Sequence, residues 1–183
     1  MSKIGICMAD GCEEIEGLTV VDLLRRAKLN IDMISITGSR EVCGSHNIKF
    51  QCDAKIEDVN WDDYDGIVLP GGIPGTPNLE ANEIVTDTVK KFVEEGKLVA
   101  AICAAPSIFG HLGILEGKNA TSYPGFEDEM KGCHYQIDAV VVDENIITSR
   151  GMGTAIDFGL ALIEYLTDKA AADVMADKIV YRK

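Results

Sequence analysis

The sequence predicts a three-layer α/β/α sandwich around a mostly parallel β-sheet. Short apolar runs of strand length alternate with longer segments of helical periodicity along the whole chain. The length of 183 residues suits a single hydrophobic core, and neither a repeat nor a linker divides it. We therefore expect one domain over residues 1–183, with helices covering both faces of the sheet.

The first half of the chain predicts a β-α-β unit whose strands are parallel and joined by a right-handed connection. Leu18, Val21 and Leu24 recur at near-helical spacing between two apolar runs. The polar segment that follows is interrupted by Gly44, which is typical of a small hairpin or an edge excursion. The expected elements are a strand over 3–9, a helix ending near 27, a strand over 31–37, the excursion over 42–52 and a strand over 64–69.

The second half predicts further strands and helices that complete the sandwich. Leu79, Ile84, Val85, Val89 and Phe92 are expected to share one face of a helix, and Thr154 is expected to cap a later one. The expected elements are a helix over 78–95, a strand over 97–102, a short helix over 104–112, a loop-rich region around 123–125, a hairpin of 139–142 with 146–149, and helices over 154–166 and 169–179.

Composition and charge narrow the class of protein. The net charge of −13 argues against partners such as nucleic acid or an anionic membrane, and no apolar run reaches the ~20 residues of a membrane span. The chain opens on a strand-like segment without a secretory signal, so we expect a cytoplasmic protein. The scattered cysteines form no CxxC pair and predict free thiols. They are Cys7, Cys12, Cys43, Cys52, Cys103 and Cys133.

Ligand sites in parallel α/β sheets lie beyond the carboxyl ends of the strands. Residues 10–16, 70–75 and 103–106 meet this condition and carry carboxylates, paired glycines and a cysteine. Cys103 is the strongest candidate nucleophile, because small residues flank it, as in a strained nucleophile elbow, and Pro106 fits the first turn of a helix. The positive end of that helix would lower the thiol pKa. Alternatively, Cys103 is a buried small hydrophobe.

The other two segments offer weaker signals. The amides of Gly72 and Ala104 are candidates for an oxyanion hole, although a plain Gly-Pro turn explains the same glycines. Glu13 and Glu14 are explained by favourable charge at a helix N-terminus, whereas Glu16 lies further in and could face the strand ends. No histidine adjoins the cysteine, and no residue set has structural zinc spacing. With no GxGxxG motif or Walker lysine either, we expect neither a metal nor a cofactor.

Four motifs together resemble the ThiJ/PfpI superfamily, in particular the branch that contains the human parkinsonism-associated protein deglycase. The motifs are Glu13-Glu14-Ile15-Glu16, Leu69-Pro70-Gly71-Gly72, Ala100-Ala101-Ile102-Cys103-Ala104-Ala105-Pro106 and Thr148-Ser149-Arg150-Gly151. The resemblance covers essentially the whole chain. It implies a flavodoxin-like sandwich, a homodimer, and an oxidisable nucleophile that is hydrogen-bonded to a glutamate. The expected catalytic residues are Cys103 and Glu16, and the expected oxyanion- or substrate-binding residues are Gly71, Gly72, Ala104 and Tyr123.

Three positions depart from the family pattern. Ala104 follows the cysteine where the protease and class I chaperone branches place a histidine, which argues against a Cys-His proteolytic site. Tyr123 stands where the human branch member has a histidine, and a tyrosine of pKa about 10 is a poor base at neutral pH. His46 takes the place of an arginine near the implied dimer interface. The acidic charge also fits the older label of thiazole-phosphate biosynthesis poorly.

The resemblance implies a glyoxalase- or deglycase-type enzyme that acts on small α-oxoaldehydes or their adducts. Cys103 would attack the aldehyde carbon, and Glu16 would move the proton. The alternative is a redox-sensing or chaperone protein that works through oxidation of Cys103. Because an ionised carboxylate would raise the pKa of a neighbouring thiol, we predict a protonated Glu16 of raised pKa that donates to a thiolate of lowered pKa.

Overall fold

The structure is a computed structural model that describes residues 2–181. The strands are β1 Lys3–Met8, β2 Asn30–Ser35, β3 Glu41–Cys43, β4 Lys49–Gln51, β5 Ala54–Lys55, β6 Gly66–Leu69, β7 Leu98–Ile102, β8 Asn119–Ala120, β9 His134–Tyr135, β10 Val140–Asp143 and β11 Ile146–Ser149. The helices are α1 Glu14–Arg26, α2 Gly75–Glu80, α3 Glu83–Glu94, α4 Pro106–His111, α5 Ala155–Leu166 and α6 Lys169–Lys178. None of these helices is both long and apolar enough to cross a bilayer.

The central sheet has seven strands in the order β10-β11-β7-β6-β1-β2-β5. Every neighbouring pair is parallel except β10 with β11, so the predicted mostly parallel sheet is confirmed. The chain leaves β1 toward β2 on one side and returns to β6 on the other. This reversal of strand order opens a crevice at the carboxyl ends of β1 and β6, where α/β proteins bind ligands.

Apolar side chains fill both faces of the sheet and produce the three layers. Leu24 of α1 and Phe158 of α5 belong to the core cluster on one face, and Phe92 of α3 and Phe109 of α4 belong to the cluster on the other. All four side chains are fully buried. Full burial of one such side chain stabilises the fold by about 1.5–3 kcal/mol, so both faces contribute to stability.

Two local expectations differ from the structure. The single helix expected over 78–95 is two helices, because Asn82 is extended and its side chain accepts the N–H of Val85 at 3.2 Å, which starts α3 afresh. Thr154 occupies the N-cap position of α5 but makes no side-chain cap. Its hydroxyl instead bonds Ser149 Oγ at 2.7 Å and accepts the N–H of Gly151 at 3.1 Å.

Candidate active site

The turn after β7 has the strained backbone predicted for a nucleophile elbow. Cys103 has a φ of 67°, in the left-handed region that non-glycine residues rarely adopt. Its N–H donates to the carbonyl of Ser149 at 2.9 Å, and its own carbonyl accepts the N–H of Tyr123 at 2.8 Å. Pro106 begins α4 as expected. Two neighbouring segments therefore hold the thiol at the carboxyl edge of the sheet.

Glu16 lies in the first turn of α1 and reaches the same edge from the end of β1. The residue is only 1% exposed. The N–H of Gly71 donates to Glu16 Oε2 at 2.9 Å, and the carboxyl group is hydrogen-bonded to the side chain of Cys103. The N–H of Gly71, which was expected to bind an oxyanion or the substrate, therefore has the carboxyl group of Glu16 as its acceptor. The carboxyl ends of β1, β6 and β7 thus meet at one buried contact.

Backbone amides surround the sulfur on its other side. The N–H groups of Ala104 and Gly72 are both hydrogen-bonded to Cys103 Sγ. Gly72 has a φ of 95°, and a Cβ there would lie 2.4 Å from the nitrogen of Glu13, so only glycine fits. A Cβ on Gly71 would lie 2.6 Å from Cys103 Cβ. The paired glycines allow this close approach of three chain segments.

The pKa values of Glu16 and Cys103 are set by burial and by the interaction between these two groups. Burial raises the pKa of Glu16 to about 7, as predicted, against hydrogen bonds from Cys103 and Gly71 that lower it. The prediction of a lowered thiol pKa is wrong. Burial, followed by the charge of an ionised Glu16 and the hydrogen bond to it, raises the pKa of Cys103 to about 12, and the amides of Ala104 and Gly72 only partly offset this. Between these values the pair shares one proton.

The thiol and the acid face an open cavity of about 580 Å³. Tyr123, which is 49% exposed, lines it together with the segment that follows β11. The lining residues are Glu13, Glu16, Cys103, Tyr123, Pro124, Arg150, Gly151, Met152, Gly153 and Thr154. This lining contains the carboxyl groups of Glu13 and Glu16 and no histidine.

The segment 150–154 is part of the site that the sequence did not predict as lining. It follows β11, and β11 pairs in parallel with β7, so both strands end at the same edge. The hydroxyl of Thr154 bonds Ser149 and Gly151 and thereby shapes the loop. The signal in the sequence is the motif Thr148-Ser149-Arg150-Gly151, which belongs to the family resemblance but does not by itself assign a lining role to the segment.

The described histidines lie elsewhere. His46 contacts the carboxylates of Glu13 and Glu14 at 3.5 and 3.4 Å. His111 is placed between two carboxylates, those of Glu80 and Glu129. The third histidine, at position 134, is exposed on β9. The ionisable side chain hydrogen-bonded to the thiol is therefore the carboxyl group of Glu16.

Comparison with known proteins gives a consistent result. A sequence profile of the DJ-1/PfpI family matches residues 2–165. Drosophila melanogaster protein dj-1beta is 35% identical over 179 residues, which cover 96% of each chain. The structure of oxidised Toxoplasma gondii DJ-1 superposes with a TM-score of 0.96 at 34% identity and covers both chains completely. The chain spans only 37% and 46% of the lengths of DJ-1 homologs B and A of Arabidopsis thaliana, at 37% identity to each.

Proposed function

The chain belongs to the DJ-1/PfpI family, and on that premise we propose that it is a cysteine-dependent enzyme of the glyoxalase or deglycase type. Its substrates would be small α-oxoaldehydes or their thiol and amine adducts. Family membership fits a role in oxidative stress, and the proposed chemistry would protect the cell against reactive carbonyl compounds. The family resemblance suggests this activity and this substrate class, and the geometry around Cys103 and Glu16 supports them.

One observation carries this proposal: a thiol and a carboxyl group share a hydrogen bond at the base of an open cavity. Cys103, whose backbone is strained, supplies the nucleophilic sulfur. Glu16 supplies a carboxyl group whose pKa of about 7 suits proton transfer near neutral pH. The N–H groups of Gly72 and Ala104 point at the sulfur. They can therefore donate to the carbonyl oxygen of a substrate whose carbon bonds to that sulfur.

The proposed reaction balances without an external oxidant. Glu16 takes the thiol proton as Cys103 Sγ bonds to the aldehyde carbon, and the amides of Gly72 and Ala104 stabilise the oxygen of the hemithioacetal. Glu16 passes the thiol proton to that oxygen and is ionised again. It then takes the proton of the former aldehyde carbon and returns it to the neighbouring carbon, through an enediol, while the hemithioacetal hydroxyl proton moves to the former ketone oxygen. The first carbon becomes a thioester as the ketone carbon becomes an alcohol. Water cleaves the thioester to a hydroxy acid and restores the thiol.

A methylglyoxal turnover assay tests this proposal with the wild-type chain and three variants. Cys103→Ser removes the nucleophile, and Glu16→Gln keeps the shape of the side chain but removes proton transfer, at an expected loss of about 10²–10⁴-fold. Cys43→Ser is the matched control, because Cys43 is also a half-buried free thiol but lies outside the cavity lining. Equal turnover in all four proteins would refute the assignment.

A second candidate function, redox sensing through Cys103 or a chaperone activity that depends on its oxidation, has support from the same amides. Oxidation of the sulfur to a sulfinate would place new oxygens beside the N–H groups of Gly72 and Ala104, which can donate to them. Glu16 could donate its proton to the sulfinate at neutral pH, because its pKa is raised to about 7. A similar solved structure is that of an oxidised DJ-1.

We include a cytoplasmic location and a homodimer in this proposal. Free cysteines support the location, since disulfides are rare in the reducing cytosol. Ile15 and Ile48 support the dimer: they are 50% and 54% exposed, and the N–H of Ile48 donates to the carboxylate of Glu14, next to Ile15. Sedimentation of the wild-type chain and of Ile15→Glu tests the dimer. We expect the variant to sediment as a monomer.

A further inference from the structure

The β3–β4 hairpin brings the side chains of Ser45 and His46 to the start of α1. Ser45 and His46 lie in the hairpin turn, and the N–H of Ser45 donates to the carbonyl of Cys12 at 2.8 Å, just before the acidic run. We propose that Glu13, Glu14 and His46 form a binding site for one divalent cation of the zinc class. This site adjoins the Cys103 cavity, which Glu13 also lines, but it does not depend on the proposed Cys103 chemistry.

The separation of the donor atoms matches the geometry of a tetrahedral zinc ion. His46 Nδ1 lies 3.5 Å from Glu13 Oε1 and 3.4 Å from Glu14 Oε2. An N–H···O hydrogen bond is usually about 2.7–3.2 Å long, so these contacts are too long for good hydrogen bonds. Zinc bonds of about 2.0–2.1 Å place tetrahedral ligands about 3.3–3.4 Å apart. The distance from the imidazole nitrogen to each carboxylate oxygen is therefore that of two ligands of one ion, and all three donor atoms lie within 4.8 Å of one another.

A fourth donor and a fixed carboxylate complete the set. Ser45 Oγ lies 2.9 Å from His46 Nδ1, 3.1 Å from Glu13 Oε2 and 3.4 Å from Glu14 Oε2. Glu14 is only 3% exposed, and its Oε1 accepts the N–H groups of His46 at 2.9 Å and Ile48 at 3.3 Å. These bonds hold the buried carboxylate in place and leave Oε2 directed at the cluster. The hydroxyl or a water molecule would provide the fourth ligand.

The charges of the cluster favour a cation. The ion pairs of Glu13 and Glu14 within residues 2–181 are to His46, whose side chain is 70% exposed and is charged only when protonated. A neutral imidazole therefore leaves two adjacent carboxylates without a cationic partner in the described part of the chain. Imidazole nitrogen combined with carboxylate oxygen suits zinc, whereas calcium and magnesium prefer sites built of oxygen alone.

Calorimetric titration of ZnCl₂ into the full-length chain tests the site. Cys103→Ser serves as the parent protein, because it removes the catalytic sulfur as a competing ligand. We expect one ion per chain, and a loss of affinity of at least about tenfold when His46→Ala or Glu13→Gln is added. His134→Ala is the matched control, since His134 is an exposed histidine away from the cluster, and it should bind as the parent does.

A spectroscopic readout separates a built site from loose surface binding. Cobalt(II) in place of zinc should give the intense visible absorption of a tetrahedral ion in the parent, and His46→Ala should abolish it. Circular dichroism confirms that each variant is folded before it is titrated. Absence of stoichiometric binding in the parent, or equal affinity in the parent, His46→Ala and Glu13→Gln, would overturn the proposal. Methylglyoxal turnover in the wild type is a separate result and does not bear on it.

Discussion

The backbone N–H of Gly71 donates to Glu16 Oε2 at 2.9 Å, and this bond connects the glycine turn after β6 to the acid that faces Cys103. The contact gives the carboxyl group of Glu16, a residue that is only 1% exposed, a hydrogen-bond donor beside the sulfur. It also means that a change in the glycine turn acts on the acid as well as on the nucleophile. The predictions below follow from this coupling and from the charges around it.

Glu16 should make the protein less stable as the pH rises from about 4.5 to about 7. Its folded pKa is raised to about 7 from an ordinary value of 4.5, so the unfolded chain releases this proton first. The stabilising contribution of Glu16, about 3 kcal/mol, is fully present below pH 4.5. It is lost as the pH rises through about 7. Urea unfolding between pH 4.5 and 7.5 measures this decline, which should be absent in Glu16→Gln. Parallel curves for the two proteins would contradict the raised pKa.

Gly71→Ala should disturb the site strongly, although it adds only one methyl group. The added Cβ would lie 2.6 Å from Cys103 Cβ and 2.8 Å from Glu16 Oε2, so both groups must move. We expect a loss of stability of about 1–3 kcal/mol and a loss of methylglyoxal turnover of at least about tenfold. Gly153→Ala is the control for stability, because a Cβ there meets nothing within 4 Å. Wild-type turnover in Gly71→Ala would argue against close packing at the turn.

Tyr123→Phe should leave turnover within about threefold of the wild type, because a tyrosine hydroxyl is a poor base near neutral pH. The backbone N–H that Tyr123 donates to the Cys103 carbonyl at 2.8 Å is retained in this variant. Steady-state kinetics with methylglyoxal provide the measurement. A fall of a hundredfold or more would instead assign the hydroxyl a part in proton transfer.

Mild peroxide should add two oxygen atoms selectively to Cys103. Cys43 and Cys133 are equally half-buried thiols and serve as internal controls. The expected selectivity comes from the product, since a sulfinate at position 103 would receive the N–H groups of Gly72 and Ala104. Peptide mass spectrometry after graded oxidation gives the result. Equal oxidation of the three half-buried thiols would count against redox sensing.

His111 should stabilise the fold at acidic pH and lose this effect as the pH rises. Its Nδ1 lies 2.5 Å from Glu80 Oε1 and its Nε2 lies 2.7 Å from Glu129 Oε2, and only the protonated ring can donate at both atoms. The bond to Glu129, followed by that to Glu80, raises the pKa of His111 above its ordinary 6.5 against burial, so the stabilisation is complete below about 6.5. Since the group is near the surface, we expect up to about 1 kcal/mol per pair.

Thermal unfolding of the wild type and of His111→Gln between pH 5.5 and 8.5 measures the effect. The difference in melting temperature should be largest at the acidic end and shrink through the raised pKa. His134→Gln is the matched control, because that histidine is exposed on β9. A difference that grows with pH would show that the neutral ring is the stabilising form.

Much of the site could be predicted, because its sequence signals lie within a few residues of the side chains that form it. The elbow was recognisable from small residues around Cys103 and from Pro106, and both act over one or two turns of chain. The place of Glu16 in its helix already allowed it to face the strand ends, whereas its hydrogen bond to the thiol rested on the family resemblance. The structure places it in contact with the thiol. The break between α2 and α3 was missed, since Asn82 reads as one polar residue in a helical pattern unless its role as a cap is considered.

The remaining features depend on tertiary contacts that spacing does not reveal. The lowered thiol pKa was expected from a helix dipole, but α4 begins at Pro106, three residues after Cys103, and burial beside a carboxylate has the larger effect. The cluster of His46 with Glu13 is separated by more than thirty residues in the sequence and exists because the β3–β4 hairpin folds over α1. Neither the burial of the Cys103 thiol nor the contact of His46 with Glu13 can be predicted from a local sequence pattern.

The hydrogen bond from the Cys103 N–H to the Ser149 carbonyl has a consequence for synthesis of the protein on the ribosome. The strained turn takes its partner from β11, so it cannot be completed until most of the chain has left the exit tunnel and that strand has docked beside β7. An incomplete translation product that ends before this strand would contain the thiol but lack the support that shapes its surroundings.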